Sequence, residues 1–237
     1  MKKLMFFIFL FLTTNVFSQL DSAWVNNYSS GMIPLSGTRI KLQGLVDRTG
    51  NKVNLKKYEG KVIYLGFWDS GCGSALTQNR YEPFLLSNLK TLGIEDQIVL
   101  IKICDNRVEF NEWKKYIDTN DMAGIQLHTE KDIFKMFDRK DLANPPVGTP
   151  NYWIIDKSGI ILGTSVSIPM EWFSAEYLLM KALEGVKCSD AIKQYLGNPP
   201  SLEVVDFDKK LKEKFAEGIR LNQEVSKWID EENEKRK

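Results

Sequence analysis

The chain has few of the residues that build metal centres. Its 237 residues include one histidine and three cysteines, and their spacing matches no zinc or iron–sulfur motif. The chain also lacks a glycine-rich phosphate loop followed by Lys-Ser or Lys-Thr, and its formal net charge is only +1. The sequence therefore predicts no metal, no cofactor and no nucleic-acid partner.

The single histidine, His128, is a weak candidate for catalysis. A Cys–His hydrolase would need this imidazole beside its nucleophilic thiol. His128 instead follows a separate short apolar run and precedes a predicted helix start, so we expect its side chain to be exposed.

Long apolar runs are also missing, except for one at the N-terminus. Residues 4–12 are apolar, two lysines precede them, and the small residue Ser18 follows a short polar stretch. This layout is typical of a cleaved bacterial signal peptide over residues 1–18 and is too short for a stable membrane anchor. The alternative is an uncleaved anchor. We expect a mature protein that begins near Gln19, has no integral membrane segment and is periplasmic or secreted.

Patterns of strand and helix alternate through the middle of the mature chain. Residues 61–67 and 97–104 are almost wholly apolar, which is typical of strands buried on both faces. The other predicted strands are short and cover residues 42–46, 52–55, 152–155 and 160–163. The predicted helices cover residues 75–92, 108–117 and 132–137. Pro83 should kink the first of these helices or split off its first turn. This order predicts an α/β fold with a central mixed β-sheet flanked by helices.

After residue 168 the pattern becomes helical and strongly charged. Helices are predicted at residues 171–183 and 189–196, and beyond a pair of prolines apolar residues recur at helical spacing across residues 204–230. This last apolar stripe either packs on its own domain or contacts a partner or a second copy. The predicted organisation is a lead segment at 19–36, an α/β domain at 37–168 and a C-terminal helical extension at 169–237.

Cys72 lies where the first buried strand meets the following helix. Unpaired amide groups and the helix dipole at such a position favour the thiolate, which is the nucleophile in disulfide exchange. Ala75 lies three residues later on the same helical face, where a second cysteine could attack a mixed disulfide formed at Cys72. Alanine cannot do so, and Cys72 is therefore the candidate nucleophile.

The other two cysteines are weaker candidates. An exported chain meets an oxidising compartment, and an odd number of cysteines leaves at least one thiol unpaired or joined to another molecule. Cys104 closes the second buried strand, so the end of that strand and Cys72 should share one edge of the sheet. Cys104 is either a resolving thiol or a small buried side chain, and Cys188 is better explained as a surface or core residue.

Several of these features together resemble a known family. Phe67-Trp68 precedes Cys72, and Gly148-Thr149-Pro150 precedes the last predicted hairpin. In this order and spacing they resemble the exported thioredoxin-like proteins of the TlpA and ResA type over about residues 40–165. The resemblance implies a thioredoxin-like fold and thiol-disulfide exchange with extracytoplasmic proteins. If Cys72 acts as a single thiol, release of the substrate depends on an external thiol reductant or on Cys104.

The resemblance also implies which residues form a substrate-binding edge. Pro150 is expected to follow a cis peptide bond, and Thr149 before it should offer backbone groups to an extended chain beside Cys72. Trp68 and Gly73 complete the expected substrate-binding set. The alternative for Pro150 is an ordinary trans proline at the start of a strand.

The departures from the family pattern concern its two-cysteine chemistry. Ala75 replaces the second cysteine, Gly71 replaces a common tryptophan, Gln78 replaces a glutamate and Arg80 replaces a helix proline. Two functions therefore remain open. Cys72 either exchanges disulfides as a single thiol, or the chain is an inactive binding module that uses the cis-proline edge and the C-terminal helix. A thiol peroxidase ranks last, because the usual threonine and arginine neighbours are not evident.

Overall fold

A seven-stranded mixed β-sheet organises the part of the chain that the structure describes. The computed structural model describes residues 22–104, 108–129, 148–169 and 174–197. Its strands are β1 (Leu45–Val46), β2 (Lys52–Val53), β3 (Val62–Trp68), β4 (Ile98–Cys104), β5 (Ile125–Thr129), β6 (Asn151–Ile155) and β7 (Ile161–Gly163). Across the sheet they follow the order β2-β1-β5-β4-β3-β6-β7.

The two strands predicted to be buried on both faces form the centre of this sheet. β3 and β4 run parallel, in a register that pairs Val62 with Ile98 and Trp68 with Cys104. All seven residues of β3 are buried, as expected for a strand with neighbours on both edges and packing on both faces. Because parallel strands end at the same edge of a sheet, Trp68 and Cys104 lie side by side where the chain leaves β3 toward Cys72.

The described helices are α1 (Ser22–Ser30), α2 (Gly73–Thr91), α3 (Phe110–Thr119), α4 (Ser174–Leu183) and α5 (Cys188–Gly197). α2 begins directly after Cys72 and continues through Pro83 as one helix, so Pro83 does not split off a separate first turn. Apolar side chains of α2, α4 and α5 share one buried cluster with β3 and β6. No helix among the described residues is long and apolar enough to span a bilayer.

Helices α4 and α5 belong to the same body as the sheet. Leu178 of α4 and Ile192 of α5 are buried in the core cluster that also contains Tyr152 of β6, and residues 174–197 fall in one compact unit with the sheet. The predicted extension at 169–237 thus begins with elements that pack as part of the domain. Three predicted segments lie outside the described residues: the signal peptide at 1–18 and the helices at 132–137 and 204–230.

The sequence pattern does not predict strand β5, and this strand corrects the expectation for His128. β5 lies between β1 and β4, where His128 pairs in register with Cys104. The side chain of His128 is only 4% exposed, and the Trp113 ring of α3 packs on it with ring centroids 5.3 Å apart. Its Nε2 lies 2.7 Å from the backbone O of Val108. The expectation of an exposed His128 is wrong, because its short run forms a strand inside the sheet.

Candidate functional site at Cys72

Cys72 occupies the N-cap of α2, one short turn after β3. Its backbone is extended, with φ −97° and ψ 104°, and its carbonyl accepts the N–H of Leu76 at 3.0 Å. Asp69 shapes the preceding turn, because its Oδ1 accepts the N–H of Gly71 at 2.9 Å. The thiol therefore lies at a helix end, where backbone amides lack helical partners and the dipole favours negative charge.

The thiol of Cys72, whose side chain is partly buried, lies within hydrogen-bonding distance of Ser74 and Thr149. Its Sγ lies 3.1 Å from the hydroxyl of Ser74 and 3.2 Å from the backbone O of Thr149, to which the thiol donates. The Ser74 hydroxyl can donate to the sulfur once the thiol proton is lost, whereas the Thr149 carbonyl can accept only from the neutral thiol. The site thus has a partner for each protonation state of Cys72.

The pKa of Cys72 is lowered from its ordinary value. Burial is the largest single influence and raises this pKa, but the Ser74 hydroxyl, the backbone amide of Ala75 and the Thr149 side chain favour the thiolate and together outweigh it. The carboxylate of Asp69 also raises the pKa, since it repels a second negative charge. The balance leaves a thiol that ionises more readily than a free cysteine.

Cys72 should therefore react with iodoacetamide in a pH-dependent step centred below about 8.5, the ordinary value for cysteine. Cys104 and Cys188 are both 0% exposed and should react only after unfolding. Mass spectrometry of the native protein, alkylated at a series of pH values, measures the midpoint. Ser74→Ala is the matched variant, and it should move the midpoint upward because a donor to the thiolate is lost. A midpoint at or above that of the unfolded chain would contradict the lowered pKa.

The loop before β6 reaches Cys72 from the neighbouring strand. β6 pairs antiparallel with β3, with Asn151 opposite Phe67, so the residues just before Asn151 lie at the edge where β3 ends. The Thr149–Pro150 peptide bond in this loop is cis, and both side chains are partly exposed. Gly73, directly after Cys72, is exposed. Through the contact between Cys72 and Thr149, the structure places the segments Cys72-Gly73 and Thr149-Pro150 next to each other.

The fold of this chain has counterparts among solved structures. A candidate thiol-disulfide oxidoreductase from Bacteroides vulgatus matches 63% of this chain and 98% of its own, with 22% identity and a TM-score of 0.51. The chain has a thioredoxin-like fold. The prediction of a central mixed β-sheet flanked by helices is confirmed.

Two further solved structures align less closely. The thioredoxin domain of a thiol-disulfide oxidoreductase from Bacteroides vulgatus covers 55% of this chain and 88% of its own, at 24% identity and a TM-score of 0.43. A thiol:disulfide interchange protein from a Bacteroides species covers 71% and 95%, at 18% identity and a TM-score of 0.45. No family model matches the sequence, and no curated protein matches it.

Two of the predicted site residues of this thioredoxin-like chain lie beneath the surface. Trp68 and Cys104 are both 0% exposed and share a cluster with Ala75 and the partly buried Cys72. Trp68 therefore packs in the core under the turn that carries Cys72, where it cannot contact a docked chain directly. A resolving role for Cys104 requires movement of the surrounding core, since Cys104 is fully buried at the end of β4. Cys188 is also buried, and burial raises its pKa.

Asp69 and Ser74 also belong to the site around Cys72, and neither belongs to the predicted set. Asp69 Oδ2 accepts the hydroxyl of Thr149 at 2.6 Å, in addition to the bond from Gly71. An aspartate two residues before a glycine is a recognised turn signal, and it could have pointed to the bond with Gly71. No local pattern indicates a contact with a residue 80 positions later. Among the residues described here, no three His, Cys, Asp or Glu side chains are grouped to hold a metal ion.

A buried polar cluster lies next to Trp68, whose ring centroid is 5.9 Å from Lys102 Nζ. Lys102 of β4 forms a salt bridge with Glu82 of α2, and Tyr152 of β6 donates to the same Glu82 oxygen at 2.6 Å. Burial lowers the pKa of Lys102, and the Glu82 carboxylate opposes this effect. Gly66 leaves room for the cluster, because a Cβ there would lie 2.7 Å from the Tyr152 ring. The sequence gives no sign of this cluster beyond a lysine inside an apolar run.

Proposed function

We propose that this chain is an exported protein that exchanges disulfides through the single thiol of Cys72. The observation that carries the proposal is the geometry of that thiol. It belongs to the N-cap residue of α2, is partly exposed, and lies within 3.2 Å of the Ser74 hydroxyl and the Thr149 carbonyl. These surroundings favour a thiolate in a place that a disulfide can reach. The thioredoxin-like fold is consistent with this function but does not by itself confer it.

The proposed reaction begins when the Cys72 thiolate attacks one sulfur of a substrate disulfide. An S–S bond forms between Cys72 and that sulfur while the substrate S–S bond breaks, and the second substrate sulfur leaves as a thiolate that takes a proton from water. A second thiol must then attack the mixed disulfide at the substrate sulfur, which returns Cys72 as a thiolate. We assign this step to an external thiol reductant, because Ala75 occupies the position of the usual second cysteine.

We propose extracytoplasmic proteins with cysteines or disulfides as the substrates, met in the periplasm or after secretion. The predicted signal peptide at residues 1–18 supports export. The backbone of Thr149 at the cis-proline edge suits an extended substrate chain, which can pair with it as a short added strand. The exported protein should begin near Gln19, and its intact mass tests that expectation.

A second candidate function is a binding module without turnover. It is favoured by two features of the site: Ala75 has no thiol, and the thiol of Cys104 has no exposed surface from which to resolve a disulfide at Cys72. In this function the cis-proline edge and the helix predicted at residues 204–230 would hold a partner without a covalent bond. Cys72 would then contribute nothing to partner capture.

Non-reducing gels of the exported fraction separate these two functions. Free thiols are blocked at harvest, and cells carry either the wild-type protein or Cys72→Ser. Exchange through one thiol predicts adducts that accumulate on the wild type, disappear in Cys72→Ser and collapse with reductant. Cys104→Ser should leave the adducts unchanged if an external thiol resolves them, and should increase them if Cys104 does. The same gel pattern and the same captured partners for wild type and Cys72→Ser would establish the binding module instead.

A further inference from the structure

The carboxylate of Asp69 connects the two loops that form the thiol site. Its Oδ1 accepts the N–H of Gly71 at 2.9 Å, within the turn that leads to Cys72. Its Oδ2 accepts the hydroxyl of Thr149 at 2.6 Å, in the loop before β6. Both oxygens of one carboxylate are thus engaged, one by each loop, and each bond is short enough to fix its partner.

The position of the Thr149 carbonyl depends on this connection. That carbonyl accepts the Cys72 thiol at 3.2 Å, while the hydroxyl of the same residue is bound to Asp69. When Cys72 loses its proton or enters a disulfide, the carbonyl loses its donor and can accept an N–H from a docked chain. The bond from the Thr149 hydroxyl to Asp69 does not use the Cys72 proton, so it can hold the carbonyl at the thiol during that exchange of donors.

We propose that Asp69 is a positioning residue that selects peptide disulfides over small disulfides. It aligns the Thr149 edge with Cys72, which helps only a substrate long enough to pair with that edge. Its negative charge meanwhile disfavours the Cys72 thiolate, which slows reaction with every disulfide alike. The net effect is preference for an extended peptide. This inference rests on the proposed exchange function and adds the class of substrate and the residue that selects it.

The test compares two disulfides on the purified mature protein: hydroxyethyl disulfide, which is too small to pair with the edge, and an extended peptide disulfide of about ten residues. Thr149→Val removes the hydroxyl and keeps the charge of Asp69. It should lower the peptide rate about tenfold, as expected for loss of one charge-assisted hydrogen bond, and change the small-disulfide rate less than about twofold. Thr149→Ser keeps a hydroxyl and should restore the peptide rate.

Asp69→Ala removes both the connection and the charge. The small-disulfide rate should rise about fivefold, since a nearby negative charge is lost, and the ratio of peptide to small-disulfide rates should fall at least tenfold. In the double variant Asp69→Ala/Thr149→Val, the ratio of peptide to small-disulfide rates should be no lower than in Asp69→Ala alone, because both changes break the same hydrogen bond. Asp47→Ala is the matched control, since Asp47 accepts backbone N–H groups in a similar turn that takes no part in this site.

The outcomes distinguish a failure of the proposed role of Asp69 from a failure of disulfide exchange through Cys72. An unchanged rate ratio in Thr149→Val, or effects that multiply in the double variant, would overturn the role of Asp69 while leaving exchange through Cys72 intact. A rate ratio that falls equally in Asp47→Ala would also overturn it, because the effect would then be general loosening of turns. A wild-type protein that reacts with neither disulfide would overturn the proposed function and the role of Asp69 together.

Discussion

Lys102→Met should lower the free energy of unfolding by about 3–5 kcal/mol, because it leaves the Glu82 carboxylate buried without its cation. Both partners of this salt bridge are almost fully buried, with side-chain exposures of 1% for Lys102 and 0% for Glu82. The substitution also removes the donor that lies 2.7 Å from Asn79 Oδ1. Urea unfolding followed by tryptophan fluorescence measures the loss.

Two further variants test whether the buried charge of Glu82 causes this loss of unfolding free energy. Glu82→Leu combined with Lys102→Met should recover at least half of the loss, because packed apolar side chains can replace a buried ion pair. Lys181→Met removes an ammonium from an exposed pair with Glu184, 2.8 Å apart, and should cost less than about 1 kcal/mol. If Lys102→Met loses as little unfolding free energy as Lys181→Met, the conclusion that Lys102 and Glu82 form a buried ion pair is wrong.

Ala75→Cys should convert single-thiol exchange into two-thiol turnover. Ala75 lies three residues after Cys72 at the start of α2, and the introduced thiol can attack a mixed disulfide within the same molecule. We expect disulfide reduction with a dithiol reductant to rise at least about tenfold, because the resolving step no longer waits for a second molecule. An insulin-type reduction assay measures the rate, and counting free thiols measures the new internal disulfide.

The packing around Ala75 determines how this variant must be controlled. Ala75 is 0% exposed and shares its cluster with Cys104, so the introduced thiol could pair there instead. The same change made together with Cys104→Ala should keep the gain in turnover if Cys72 is the partner. Extra volume at a filled position should cost about 1–3 kcal/mol, which unfolding curves of the same variant will show. No gain in either background would indicate that Gly71 and Gln78 have also removed the two-thiol chemistry.

The fold is largely predictable from this sequence because its strongest signals are local. The central strands β3 and β4 are unbroken apolar runs, and their observed bounds lie within one residue of the predicted ranges. A strand of this kind must be covered on both faces, which requires helices and an α/β order. The position of Cys72 at the start of α2 follows from the same local order.

The rest of the site depends on contacts between distant segments. Cys72 and Thr149 are 77 residues apart, and Asp69 and Thr149 are 80 apart. Thr149 could be predicted because of the family resemblance, whereas Asp69 has no counterpart in that pattern. Spacing along the chain carries no information about such pairs, since they form only when β3 and β6 lie side by side.

The burial of polar residues was the hardest feature to predict. His128 lies in a five-residue strand whose neighbours β1 and β4 are distant in sequence, so its environment depends on the topology of the sheet. Lys102 interrupts an apolar run, and the sequence does not show that Glu82, 20 residues earlier, provides its counter-charge. In both cases a side chain that is usually exposed is buried beside a tertiary polar partner, the Val108 carbonyl for His128 and the Glu82 carboxylate for Lys102.

Exchange through Cys72 is tested by the intact mass of the purified protein after incubation with a peptide disulfide. Exchange through Cys72 predicts a mass increase equal to one half of that disulfide, located on Cys72, stable until reductant is added and absent from Cys72→Ser. The thiolate should form the adduct faster as pH rises through the lowered pKa of Cys72. An unmodified wild-type protein, or an adduct of equal abundance on Cys72→Ser, would contradict the account.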